Sequence, residues 1–348
     1  MGWDADRLAA LRERYGAAGP GAFHDPAFAD IAARVIRGGR RPAPYAGIPT
    51  LLSAPQAPGP EGLQVALYGM PMDNGVTNRP GARFGPRALR GIERIGPYEH
   101  VLRVAPIHQA RVADIGDVAF SSRFRLEESH ADIEAFVARI RDAGALPLGV
   151  GGDHSVTLPV LRALGRARPV GLIHIDAHCD TSGEFDHARF HHGAPFRQAV
   201  LEGVLDPTRT VQIGIRGGAE WLWEFSYESG MTVIHAEEID SLGLPAVITR
   251  ARQVVGAGPA YLSFDIDSLD PAFAPGTGTP EAGGLTVREA LAILRGMKGV
   301  NLIGADLVEI APHYDPSTAT LLAGGQILFT ILSLLVLSPA LPPAGGGG

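Results

Sequence analysis

The chain has 348 residues, 45% of them hydrophobic, a formal net charge of −7 at pH 7 and one cysteine, Cys179. That length and apolar content suffice for one large α/β core. The acidic balance speaks against nucleic acid or anionic membrane as the main partner, and the lone cysteine rules out an intramolecular disulfide and fits a reducing, cytoplasmic setting.

The opening stretch MGWDADRLAALRERYG is charged and helical, unlike a signal peptide. Residues 1–60 combine this helix with a Pro-rich stretch, RRPAPYAGIPTLLSAPQAPGPEG, and read as an arm lying on the domain or on a neighbouring subunit. From Val65 the pattern changes to eight short apolar runs: VALYGM, ARVADIG, ALPLGVGG, VGLIHIDAH, TVQIGIR, MTVIHAEE, AYLSFDID and NLIGADLVEI. Amphipathic segments such as HADIEAFVARIRDAG and VREALAILRGMKG separate them. This alternation predicts βαβ units in a mostly parallel, eight-stranded sheet within one domain over 61–338. The apolar run from Ile327 to Leu337 is shorter than the roughly 20 residues of a membrane span and reads as a buried C-terminal helix, so no membrane is expected as a partner. Pro339 to Gly348 is Pro- and Gly-rich and reads as a disordered tail.

Six candidate metal ligands follow three of these runs: His154 in GGDHS, Asp176, His178 and Asp180 in DAHCD, and Asp265 and Asp267 in SFDIDSLDP. Side chains alternate along an extended strand, so the members of each triplet or pair are expected on one side, with Cys179 turned away as a small buried apolar residue. In a mostly parallel sheet the carboxyl ends of the strands form the usual ligand crevice. Taken singly, an Asp after a strand is commonly a cap or turn residue, and a lone His is usually a satisfied core group. The joint pattern of four carboxylates and two imidazoles without a thiolate points instead to a pair of divalent cations, manganese by preference. Such a pair would neutralise four aspartates and acidify a shared water, which is the chemistry of hydrolysis.

GGDHS at 151–155, DAHCD at 176–180 and SFDIDSLDPAFAPGTGTPE at 263–281 resemble the three signatures of the ureohydrolase family of arginases and agmatinases. NRPGARFGPRALR from Asn78, DIGD from Asp114, HHGAPFRQA from His191 and DLVEIAP from Asp306 extend the similarity over roughly residues 65–335, closest to the agmatinase branch. The resemblance implies a three-layer αβα fold and a two-manganese site that hydrolyses a guanidinium to urea and an amine. It implies one metal on His154, Asp176, Asp180 and Asp265, and the other on His178, Asp176, Asp265 and Asp267. Nickel fits the same ligands. His192 matches the family's proton shuttle, a role that suits a side chain titrating near neutrality. Glu309 matches the glutamate that anchors the guanidinium, for which a carboxylate is the natural partner. Asp153 and Asp270 are expected to orient ligands or turns. Homotrimers or homohexamers are implied as well.

The loop TSGEFDHARF, with Phe185 and Phe190, and the loop residues Asn78 and Arg79 are candidates for contacting the substrate beyond its guanidinium. DTSGEF, RFHHGAPFRQAVLEGVLDP and IRGGAEWLWEFSYESGMTVIH resemble bacterial guanidino-acid hydrolases, which points to 3-guanidinopropionate or 4-guanidinobutyrate, with agmatine as the alternative and guanidine itself further off. Two other classes compete. A deacetylase-type amide hydrolase would ordinarily use one zinc, against which the second ligand set speaks; a catalytically dead relative would usually have lost ligands, and all six are present.

Overall fold

The structure, a computed structural model, describes residues 4–16, 23–35, 46–92 and 96–343. It divides into two compact units, Met1–Ile48 and Pro49–Gly348. Within the first, the described residues form helices Ala5–Tyr15 and Pro26–Val35, the former capped by Asp4, whose carboxylate accepts from the Asp6 and Arg7 N–H groups. Residues 36–45, which include the first six residues of the Pro-rich stretch, lie outside the described residues. The boundary expected near residue 60 falls earlier, since residues from Pro49 onward belong to the second unit. There Leu51 is fully buried, and its N–H donates to Asp114 Oδ2 at 2.9 Å.

Each of the eight apolar runs becomes a strand: β1 Val65–Gly69, β2 Val112–Asp117, β3 Leu146–Val150, β4 Val170–Ile175, β5 Leu205–Ile215, β6 Thr232–His235, β7 Ala260–Asp265 and β8 Leu302–Val308. They form one sheet in the order β2-β1-β3-β8-β7-β4-β5-β6, and every pairing is parallel. Alternate strand residues feed two separate cores. Val65, Leu67, Ile173, Ile175, Leu262 and Phe264 join one with residues of helices Leu244–Val255, Val287–Gly296 and Ala319–Val336. Ala66, Tyr68, Leu172 and Tyr261 join the other with residues of helices Leu126–Asp142, Thr157–Gly165 and Pro195–Leu201. This is the three-layer αβα arrangement, and burial on both faces is why the strands read as continuous apolar runs.

The C-terminal helix starts earlier than the apolar run suggested, at Ala319, and is long and apolar enough to cross a membrane. Its apolar window is 78% buried within the fold, so its side chains are spent on the core. Of the stretch expected as a tail from Pro339, Ala340 and Leu341 pack against the first core, and the Pro342 carbonyl accepts from Gln64 Nε2. Residues 344–348 lie outside the described residues.

Candidate metal centre and active site

Four adjacent central strands, β3, β8, β7 and β4, deliver the site at their carboxyl ends. His154 opens a short 3₁₀ turn after β3, capped by Asp153, whose Oδ1 accepts the Ser155 N–H at 2.9 Å. The other Asp153 oxygen accepts the Gly75 N–H at 2.8 Å and so ties this turn to the loop after β1. Gly152 permits that approach, since a Cβ there would stand 1.5 Å from the Met72 carbonyl oxygen.

Strand alternation is not what gathers the remaining ligands, and that expectation is corrected. β4 ends at Ile175, before the DAHCD segment, and Asp180 has a left-handed φ of 51°. Asp176 turns the chain back on itself, its Oδ1 accepting the His178 N–H at 2.6 Å. Asp265 closes β7 in the same way, its Oδ1 accepting the Asp267 N–H at 2.8 Å. Two Asx turns therefore aim the carboxylates. Cys179 is buried as expected, but against Ile215 and Trp223 at a turn, and burial pushes its thiol up to about 12.

His154 Nδ1 lies 3.0 Å from Asp176 Oδ2, 3.0 Å from Asp180 Oδ2 and 3.2 Å from Asp265 Oδ2. His178 Nδ1 lies 3.2 Å from Asp267 Oδ2 and 3.5 Å from Asp176 Oδ1. Asp176 thus joins two groups, one oxygen to each. His154 and the four aspartates are buried, whereas the His178 side chain is 31% exposed.

The donors fit a pair of cations, and the state of His154 shows why. Its Nε2 lies 2.8 Å from Ser263 Oγ, and that hydroxyl donates its one proton to Asp306 Oδ1 at 2.6 Å. Nε2 must therefore carry a proton, which leaves Nδ1, 3.0–3.2 Å from three carboxylates, as the atom that takes up either a metal or, without one, a second proton. Burial works against a charge on this ring, yet the carboxylates of Asp176, Asp180 and Asp265 raise its pKa well above the ordinary value. Burial and the carboxylates of Asp267 and Asp176 likewise push Asp265 well above the usual range. The cluster demands positive charge, and hard oxygen donors with imidazole suit a divalent metal.

Beside it, Glu309 follows β8 with a left-handed φ of 63°, its N–H donating to the Gly152 carbonyl at 2.9 Å. Such a backbone costs on the order of 1–3 kcal/mol in a non-glycine residue. Glu309 Oε1 accepts the His154 N–H at 2.8 Å and contacts His192 Nδ1 at 2.9 Å, while the buried Oε2 has no partner. His192 Nε2 lies 2.7 Å from Thr77 Oγ1. Burial lowers the tendency of His192 to be charged, but Glu309 overrides this and brings its pKa to about 9. The structure thus brings His192 and Glu309 together next to the six ligands.

The four residues expected around the substrate tail behave differently. Asn78 and Arg79 spend donors on loop carbonyls: Asn78 Nδ2 reaches Gly278 O at 3.4 Å, and Arg79 reaches Gly278 O at 3.1 Å and Thr277 O at 2.8 Å. Arg79 also lies over the Tyr314 ring, so these two latch the Gly-rich segment beside Glu309. Phe190 packs away from the ligands, against His130 and beneath the guanidinium groups of Arg162 and Arg189. Phe185 is 53% exposed, with its ring 6.2 Å from that of His191. Asp270 is a turn residue that accepts the Gly283 and Gly284 N–H groups.

Three supports were not read from the sequence. Arg216, buried, donates to the carbonyls of Asp267 and Glu281 and so joins the Asp267 turn to the Gly-rich segment. Thr77 holds His192. The third is a polar row inside the sheet, formed by Gln212, His174, Ser263 and Asp306, whose signal is a lone polar residue within each of four apolar runs.

A parallel α/β sheet whose strand ends converge on a paired cation site defines a metal-dependent hydrolase. A profile of the arginase family matches residues 63–333. The chain is 50% identical over 300 residues to guanidinopropionase of Pseudomonas aeruginosa, covering 85% of this chain and 94% of that one. It is 44% identical over 317 residues to the mitochondrial agmatinase of Gallus gallus, covering 90% of each. Among solved structures, proclavaminate amidino hydrolase from Streptomyces clavuligerus superimposes with a TM-score of 0.81 at 36% identity, over 85% of this chain and 99% of that one. The chain belongs to the arginase family and is a C–N hydrolase of the ureohydrolase class.

Proposed function

We propose that the protein hydrolyses a guanidino acid, 3-guanidinopropionate or 4-guanidinobutyrate, to urea and the corresponding amino acid, using two manganese ions per subunit. The carrying observation is the unpartnered Glu309 Oε2, buried beside a cluster in which Asp176, Asp180, Asp265 and Asp267 gather around His154 and His178. The 50% identity to a guanidinopropionase supports the choice of tail. One ion would be held by His154, Asp176, Asp180 and Asp265, the other by His178, Asp267 and the shared Asp176, with Asp265 as a second bridge. Bound there, the ions would make water acidic enough to attack at neutral pH and offset charge developing on the substrate. Glu309 Oε2 accepts a guanidinium N–H and sets the carbon over the cluster, a charge-assisted contact that also orients. His192, its Nδ1 held by Glu309 and its Nε2 accepting the Thr77 N–H at 3.1 Å, relays a proton to the departing amine. Phe185, exposed on the loop before His192, is the one of the four tail candidates available to close over the aliphatic chain. The working form is a cytoplasmic homotrimer or homohexamer.

Agmatine is the second reading, favoured by the 44% identity to an agmatinase. A urea-release assay across guanidinopropionate, guanidinobutyrate, agmatine, arginine and guanidine, with manganese and then nickel, decides between them. The highest kcat/KM is expected with a guanidino acid and manganese; preference for agmatine overturns the choice of tail, and absence of urea from every substrate overturns the function.

A further inference from the structure

Distance alone would count His174 among the metal ligands, since donor atoms of His154, His174, Asp176 and Asp180 lie within 4.8 Å of one another. Its surroundings say otherwise. His174 sits in the middle of the sheet, level with Gln212 on β5 and Ser263 on β7, and Ser263 is level with Asp306 on β8. All four are fully buried. In a parallel sheet such residues share a face, so a polar row crosses four strands in the layer beneath the cluster.

The Gln212 amide fixes the protonation of the whole arm. Its Nε2 lies 2.6 Å from the Cys179 carbonyl oxygen, and only an N–H can meet a carbonyl. The same Nε2 lies 3.0 Å from His174 Nδ1, which must then accept. The proton of a neutral His174 is therefore on Nε2, 2.7 Å from Asp176 Oδ2. The alternative amide orientation would set two oxygens 2.6 Å apart. The present one is held although it leaves Gln212 Oε1 buried without a partner.

We infer that His174 is a positioning residue and not a ligand: locked by Gln212, it donates from Nε2 to the shared carboxylate of Asp176 and fixes the angle at which that carboxylate meets both cation sites. The Phe196 ring, 4.3 Å from that of His174 between centroids, closes the space into which the imidazole could turn. The row thus serves both ends of the cluster. Asp306 and Ser263 orient His154; Gln212 and His174 orient Asp176. Histidines behind metal ligands in this way typically tune affinity by about 10–100-fold.

This inference rests on the two-metal reading, and manganese titration of the metal-free protein separates the two. Wild-type protein that takes up no pair of ions defeats that reading. With two ions bound by wild type, His174→Leu and Gln212→Leu are expected still to bind two at saturation, with dissociation constants raised about 10–100-fold. At saturating manganese, kcat should fall while KM for the guanidino substrate stays. His174→Gln, which restores an N–H donor, should return affinity to within about tenfold of wild type. One ion per subunit at saturation in His174→Leu makes His174 a ligand and overturns the inference, as does unchanged affinity. If the leucine variants fail to fold, the histidine ¹⁵N spectrum of the wild type decides: a proton on Nε2 of His174 is expected, and a proton on Nδ1 overturns it.

Discussion

The two halves of the metal centre are built to different standards. The His154 half is wholly buried, faces three carboxylates and is backed by Ser263 and Asp306. The His178 half has its imidazole 31% exposed, lies at the end of two Asx turns, and has Glu281 Oε1 at 4.0 Å from Nε2 as its nearest outer acid. A buried ligand with a fixed tautomer holds a cation in one geometry, whereas an exposed one can exchange its cation with water. The first half is therefore expected to hold an ion longer than the second.

Asp176→Asn tests what the halves have in common, and the largest loss is expected there: one carboxylate is shared, so neither ion is retained and activity falls by roughly a thousandfold or more, as for loss of a catalytic metal. Metal analysis with a urea assay checks this. Glu309→Gln should spare both halves. It keeps the ions while guanidinium turnover drops by about a hundredfold, the typical cost of one preorganised electrostatic contact; unchanged kinetics would leave Glu309 a structural residue. Stepwise chelation addresses the contrast directly, with one ion per subunit expected as a plateau before none, and simultaneous loss would erase the distinction.

Acid should weaken both halves. Without metal, the neighbouring carboxylates raise the pKa values of His154 and His178 well above the ordinary value, so protons compete for both Nδ1 atoms and metal affinity falls as pH drops. Calorimetry in buffers of different ionisation enthalpy should show protons released on binding. The smallest effect is expected from Thr77→Ala, which removes the hydroxyl 2.7 Å from His192 Nε2 and should lower kcat by roughly two- to tenfold, in keeping with one hydrogen bond, without changing metal content.

Much of this was legible in the chain. The eight apolar runs became eight strands because a sheet buried on both faces writes itself as uninterrupted Val, Ile and Leu. The six candidate ligands could be picked out by side-chain chemistry, and His192 and Glu309 by their place in motifs that resemble the family's; the structure brings all eight together. Their geometry was not legible. Asp176 and Asp265 are aimed by turns, although period-2 alternation gave the same grouping by a different route. Asn78 and Arg79 were placed in the correct loop, but whether their donors face a substrate or the carbonyls of residues 277 and 278 depends on a contact some 200 positions away. The row from Gln212 to Asp306 was hidden because strand order is not sequence order: β4 lies between β5 and β7, so residues 212 and 263 flank residue 174.

His154 and the Glu309 oxygen that receives its N–H are 155 positions apart, and between them the chain lays down five of its eight strands. No fragment ending before β8 can assemble the crevice, and until then the aspartates repel one another with nothing to hold them. The cation sites therefore exist only in the completed fold, and metal uptake reports that β8 has joined the sheet.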